Sequence, residues 1–132
     1  MGLIVDTGFF IRAERMKSTA WRSALPLEAP AAIASITVSE IAIGEFLATS
    51  PAIAKRRKTF VEDVLGFMPV VDFDTAIART HARLRAELRN RGKMIGAHDL
   101  IIAATAMSLG WDVLTLNGAE FRQVEGLGVC EA

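Results

Sequence analysis

The sequence predicts an α/β domain built around a mostly parallel sheet of four or five short strands, on three observations. Short β-branched or leucine runs bounded by turn residues recur at residues 2–6, 31–35, 68–73 and 111–116, the pattern of strands covered on both faces. Each run is followed by a stretch of helical period rather than by a hairpin turn, and strands alternating with helices require parallel crossovers. Hydrophobic residues make up 52% of the chain against ten glycines and four prolines, which supplies a covered sheet and leaves little for a disordered tail.

Taken in order, GLIVD at 2–6 reads as the first strand and residues 9–15 as a helix. A connecting helix around Ser18 to Ala24 ends before Pro26. AAIAS at 31–35 is the second strand and leads into T-V-S-E, where Thr37 and Glu40 have the spacing of a capping box. The helix starting at Thr37 runs to about Ala48, and Ser50-Pro51 begins the next with a serine cap and proline at the first helical position. That helix carries Lys55-Arg56-Arg57-Lys58 and ends near Gly66. MPVVDF at 68–73 is the third strand, followed by a long helix from Asp74 to Asn90 with Gly92 as terminator. Ile77, His81, Leu84 and Leu88 share one face of it, while Arg79, Arg83, Arg85 and Glu87 lie away from that face. The next helix runs from His98 or Asp99 to Leu109 and stops at Gly110; its LIIAATAM run is apolar nearly all round, so it is buried on more than one side. WDVLTL at 111–116 is the fourth strand, NGAEF a helical turn with a second capping-box spacing at Asn117 and Glu120, and GLGVCEA a short edge strand.

At 132 residues the chain fits one domain, 1–132, because two cores would each be undersized. No apolar run approaches the roughly 20 residues of a spanning helix, and the opening Leu3-Ile4-Val5 run is too short for a signal peptide, so no membrane contact and a cytoplasmic location are expected. The single cysteine, Cys130, has no disulfide partner and no companions at metal-ligand spacing, which excludes a cysteine-built zinc site. Lys plus Arg equals Asp plus Glu at 15 each, so the molecule as a whole is not strongly basic. Its two basic clusters, 55–58 and Arg79 to Lys93, read most simply as solvated helix faces.

In open parallel α/β domains, ligands bind beyond the carboxyl ends of the strands. Asp6 closes the first strand, Asn117 follows the fourth, and Glu40 and Asp99 stand in the first turns of helices that start from the same sheet edge. Each has a local alternative. Asp6 suits a turn or cap, yet it ends an all-apolar strand and is followed by Gly8, which admits close approach of a ligand. Asp99 would complement the helix dipole by roughly 0.3–1 kcal/mol, but it is the only acid on a buried helix and so invites a balancing cation. Glu40 has its capping role, and Glu45 lies about 140° round the helix from it, so only one of the two faces a shared site. His98 beside Asp99 suits either a base or polar surface, and His81 a packed position.

Laid in order, IVDTGFFI, ITVSEIAIG, IGAHDLIIAATA and VLTLNGAEFRQVEGLGV resemble the PIN-domain nucleases, most closely the VapC-type toxins of bacterial toxin–antitoxin pairs. The resemblance implies a three-layer α/β/α PIN-like domain whose first acid is Asp6, whose glutamate is Glu40 and whose central aspartate is Asp99. The family's late strand motif falls on Leu114, Thr115, Asn117, Glu120 and Phe121. Two positions depart from the pattern: Gly8 replaces a polar residue common there, and Asn117 stands where many relatives have Asp. The implied activity is Mg²⁺- or Mn²⁺-dependent endoribonuclease cleavage of tRNA or rRNA, with Asp6, Glu40 and Asp99 holding the metal and Thr115 or Asn117 orienting the water or scissile group. Implied partners are the RNA substrate, a cognate VapB-type antitoxin seated in an apolar groove near Phe9, Phe10 and Trp21, and a second copy of the chain as a homodimer. An alternative is a PIN-like module that binds RNA or protein without cutting, which Asn117 keeps open. A receiver domain is disfavoured, since no acid pair follows the first strand and no lysine lies beyond Lys93.

Overall fold

The computed structural model describes residues 1–17, 20–26 and 28–132. In chain order these form β1 (Leu3–Val5), α1 (Thr7–Arg15), a 3₁₀ turn (Ala20–Ala24), β2 (Ala31–Ala34), α2 (Ser35–Leu47), α3 (Pro51–Phe67), β3 (Val70–Val71), α4 (Thr75–Asn90), α5 (Ala97–Leu109), β4 (Asp112–Thr115), α6 (Gly118–Phe121) and β5 (Val129–Glu131). The strands make one sheet in the order β3-β2-β1-β4-β5, and every pairing is parallel. The chain lays β2 and β3 to one side of β1, then returns to add β4 and β5 on the other. The direction of winding therefore reverses between β1 and β4, and a crevice opens at their carboxyl ends.

Alternation along the strands builds the three layers. Leu3, Val5, Ile33 and Leu114 point to one face, where they pack with Phe9, Phe10, Ile41, Val61 and Val64 from α1, α2 and α3. Ile4, Ala32, Ala34 and Val113 point to the other, against Ile77, Leu84 and Leu88 of α4 and Ile102, Ala103 and Ala106 of α5. As its composition predicts, α5 is buried over most of its surface, with Leu100, Ile102, Ala103, Ala104, Thr105 and Ala106 all inside. His81 is half-buried and meets the ring of Phe73 edge-on at 5.7 Å.

Helix ends follow their local chemistry in α3, α4 and α5. Ser50 accepts from the Ile53 N–H at 3.2 Å and Asp74 from the Ile77 N–H at 2.8 Å. Beyond the other ends, Gly92 at φ +66° and Gly110 at φ +69° take the left-handed conformation that terminates a helix without Cβ strain.

Several expectations need correction. Helix α2 starts two residues early, at Ser35, so Thr37 is not its cap; β2 runs straight into the helix, and the Thr37 hydroxyl has a tertiary partner in Thr7. Asp99 likewise sits inside the first turn of α5, with Gly96 at the cap. Strand β3 shrinks to Val70–Val71 because it is an edge and half exposes Val70. The expected helix at 18–24 is a 3₁₀ turn from Ala20, and Ser18 lies outside the described residues. Finally, of the three aromatics expected at an apolar groove, Phe10 is fully buried, while Phe9 and Trp21 meet it edge-to-face at centroid distances of 5.4 and 5.5 Å and also line an apolar cavity of about 300 Å³ with Arg12, Met16 and Leu116.

Chemical denaturation with urea checks this division of labour. Phe10→Ala should lower unfolding free energy by about 3–5 kcal/mol through the cavity it leaves. Asp74→Ala should cost about 1 kcal/mol through its lost cap. Phe46→Ala, at a side chain 79% exposed, should stay within about 0.5 kcal/mol of the parent.

Candidate active site

The crevice at the end of β1 and β4 is where the acids gather. Asp6 follows β1 directly, and Thr115, the last residue of β4, donates its hydroxyl to Asp6 Oδ2 at 2.8 Å across the two strands. Thr115 is fully buried, so its hydroxyl sets the carboxylate and does not face a substrate. Burial raises the pKa of Asp6; the bonds from Thr115 and the Thr7 backbone oppose that, and Glu40 and Glu120 add like-charge repulsion.

Glu40 is tied down from two sides. Its Oε1 accepts from Thr7 Oγ1 at 2.7 Å and its Oε2 meets His98 Nδ1 at 3.1 Å. Thr7 has a single hydroxyl hydrogen, which goes to Glu40, so Thr37 is the donor in the 3.0 Å contact between the two threonines. Both threonines are buried. The relay Thr37–Thr7–Glu40–His98 thus joins the start of α2 to the starts of α1 and α5.

Asp99 meets Glu120, an acid whose local spacing points instead to a capping task. Glu120 has the spacing of a capping partner for Asn117, but the Asn117 N–H already donates to Thr115 Oγ1 at 3.1 Å. Glu120 is left to accept from the Gly96 N–H at 2.6 Å and to share a hydrogen bond with Asp99. The clue in the sequence is T-x-N, since a threonine two residues before the asparagine competes for the donor that a capping box needs. Asp99 is pushed up to about 7, first by burial, then by the bond with Glu120 and by repulsion from Asp6, Glu120 and Glu40. The bond between Asp99 and Glu120 therefore needs a proton on one of the two, and among the described residues no lysine or arginine pairs with either.

The cluster has room for a cation. A Cβ at Gly96 would lie 3.4 Å from Asp99 Oδ2 and 3.6 Å from Glu120 Oε1, so the glycine keeps the wall of the cup open. At Gly8 only Asp6 Oδ2 comes near, at 3.9 Å. Among the described residues no three His, Cys, Asp or Glu side chains are already closed around one point. The donor set nevertheless fits a hard divalent ion, which takes carboxylate oxygens and keeps much of its water.

Other predicted residues fall outside this cluster. Asn117 is exposed and makes no side-chain cap. Glu45 lies half-buried elsewhere on α2. Cys130 is a free thiol in β5. The basic cluster of α3 is remote from the acids: Arg56 and Arg57 line a cavity of about 520 Å³ with Ala13, Glu14 and Lys17, at the end of α1 opposite Asp6. Arg57 donates to the Gly44 carbonyl at 2.9 Å and so ties α3 to α2. The second basic cluster is better placed, because the 91–96 loop that leads to Asp99 is pinned beside α6 by Arg91 donating to the Gln123 carbonyl at 2.7 Å.

No helix among the described residues is long and apolar enough to cross a membrane. Comparison with known proteins gives a consistent family. The PIN domain profile matches residues 3–127. Ribonuclease VapC1 of Rickettsia felis is 35% identical over 131 residues, covering 98% of this chain and 95% of its own. The tRNA(fMet)-specific endonuclease VapC of Shigella flexneri is 30% identical, covering 94% and 92%. Among solved structures, DNA-bound VapBC from Salmonella typhimurium superposes with a TM-score of 0.87 at 28% identity, covering 99% of this chain and 98% of its own. VapBC2 from Rickettsia felis, bound to a promoter DNA fragment, shares the fold with a TM-score of 0.89 at 23% identity, over 100% and 99% of the two chains. The chain belongs to the PIN-domain family and, within it, to the VapC ribonucleases.

Proposed function

We propose that this protein is a Mg²⁺- or Mn²⁺-dependent endoribonuclease, the toxin of a toxin–antitoxin pair, silenced by a cognate VapB-type antitoxin. The observation that carries this reading is the convergence of Asp6, Asp99, Glu120 and Glu40 on one crevice where, among the described residues, no lysine or arginine pairs with them. Repulsion of that kind is relieved by a divalent ion and gives a purely structural carboxylate no advantage. Asp6, Asp99 and Glu120 would hold the ion, with Glu40 at the rim reaching it through water. When bound, the ion supplies charge compensation for a phosphodiester and lowers the pKa of water. Thr115 keeps Asp6 aimed, Gly96 keeps Glu120 aimed, and the threonine relay keeps Glu40 from collapsing into the cup.

Substrate and partner follow from the surroundings. Arg89, Arg91 and Lys93 lie exposed on the approach to Asp99, where an RNA backbone would gain contacts without base preference. Cleavage of tRNA is supported by the Shigella flexneri relative, whose name specifies tRNA(fMet). An antitoxin is supported by the VapBC pairs among the structural neighbours. Ile43, Phe46 and Leu47 at the end of α2 are exposed by 56%, 79% and 69%, an apolar surface that a partner chain, whether antitoxin or second copy, would cover.

Purified protein incubated with total RNA and Mn²⁺ should cut it, and Asp99→Asn or Glu120→Gln should lower the rate at least about 100-fold while keeping the fold. Cleavage by these variants at the parent rate would remove the metal-nuclease reading and favour a binding module.

A second check needs no substrate. Asp99 has a folded pKa of about 7 against 3.8 for the ordinary group, so between those values the folded state holds a proton that the unfolded state has released. Its contribution to stability is therefore present at the acid end and lost as pH rises through 7. Metal-free protein should melt progressively lower, relative to Asp99→Asn, from about pH 4 to about pH 7 and level off above. Millimolar Mn²⁺ should restore Tm at the alkaline end and leave the acid end unchanged.

A further inference from the structure

The proposed reaction, hydrolysis by a water held over the carboxylates, makes no use of the ribose 2′-hydroxyl as a nucleophile. Preference for RNA over DNA must then come from a contact that senses this hydroxyl, the group that distinguishes the two polymers. Most polar side chains of the crevice are unavailable for it. Thr7, Thr37 and Thr115 are buried and bonded to one another or to acids, and Glu40 has both oxygens engaged. Asp6, Asp99 and Glu120 face the cup.

His98 is different. It precedes Asp99 on the first turn of α5, and its side chain is 54% exposed. A carboxylate can only accept, so the ring must present Nδ1–H to Glu40, which leaves Nε2 as the free edge and, in the neutral ring, as an acceptor. The buried threonine relay behind Glu40 holds that edge in one orientation, as a second-layer partner does for a catalytic or ligating imidazole.

Resting on the nuclease reading, we propose that His98 is a specificity-determining residue, whose Nε2 accepts a hydrogen bond from a ribose 2′-hydroxyl next to the scissile phosphate. Glu40 is then a positioning residue for His98 as well as a rim acid. This explains why both of its oxygens point to protein donors while the other acids turn to the cup.

The experiment uses a short synthetic RNA spanning a cut mapped in total RNA, together with copies carrying one 2′-deoxy nucleotide at each position flanking that cut. Wild type, His98→Ala, His98→Gln and Asn117→Ala are compared by kcat/KM on each strand. For wild type, one deoxy position should lower kcat/KM about tenfold, in the range of a single lost hydrogen bond. His98→Ala should lose about tenfold on the all-ribose strand and suffer no additional loss at that deoxy position. His98→Gln, whose side-chain oxygen reaches the place of Nε2, should regain part of both the rate and the deoxy sensitivity.

Wild-type activity in His98→Ala, or an undiminished deoxy penalty in it, would overturn the proposal. A penalty that disappears in Asn117→Ala instead would overturn it in favour of the exposed asparagine. The half-exposed position of His98, outside both cores, lets these substitutions spare the fold. If wild type makes no cut in total RNA, the nuclease reading itself fails and this inference with it.

Discussion

Four carboxylates that repel one another at the carboxyl end of a parallel sheet are the constraint around which the rest of this molecule is arranged. Left alone, buried acids would turn outward to water or stay protonated. Here each is fixed by a different neighbour: Asp6 by Thr115, Glu120 by the Gly96 amide, Glu40 by Thr7 and His98, and Asp99 by its bond with Glu120. The bonds from Thr115, Thr7 and the Gly96 amide hold their oxygens in place without neutralising them, whereas the Asp99–Glu120 bond needs a proton on one of the pair. Burial first, and then the bond with Glu120 and the unrelieved charge, lift Asp99 to about 7.

Sheet topology supplies the meeting point. Because β1 is central and β4 returns beside it, residues over a hundred positions apart, Asp6 and Thr115, stand in direct contact. Helices α2 and α5 both begin at that edge, one on each face of the sheet, and deliver Glu40 and Asp99 from opposite sides. The two apolar cores hold this geometry from either face, and small residues on α5, Ala103, Ala104 and Ala106, let that helix lie close against the strands. An acid cluster on strand ends and first helical turns is more sharply positioned than one on a loop.

Most of this architecture was legible in the chain. The strands of continuous apolar residues, the Ser50-Pro51 start and the Gly92 and Gly110 stops are local signals with local causes, and the structure keeps them. Asp6 and Asp99 stood out because an acid at the end of an apolar strand, or on a helix buried nearly all round, has no cheaper explanation. Local rules misled wherever a tertiary partner took a group that the rule had assigned. Thr37 looked like a cap but bonds Thr7; Glu120 looked like the partner of Asn117 but turns to Gly96 and Asp99 because Thr115 reached the asparagine first. Of the aromatics expected at an apolar groove, Phe9 and Trp21 line one and Phe10 is core, since helical spacing alone does not say which aromatic face of α1 meets the 3₁₀ turn.

In the function proposed above, the acid cluster exchanges a proton for a divalent ion. Calorimetric titration of metal-free protein with Mn²⁺, repeated in buffers of different ionisation enthalpy, measures the protons released per ion bound. Binding should release most of one proton near pH 6, falling toward none by about pH 8.5, because burial and the neighbouring acids raise Asp99 to about 7. Absence of binding, or binding with no proton release near pH 6, would contradict it.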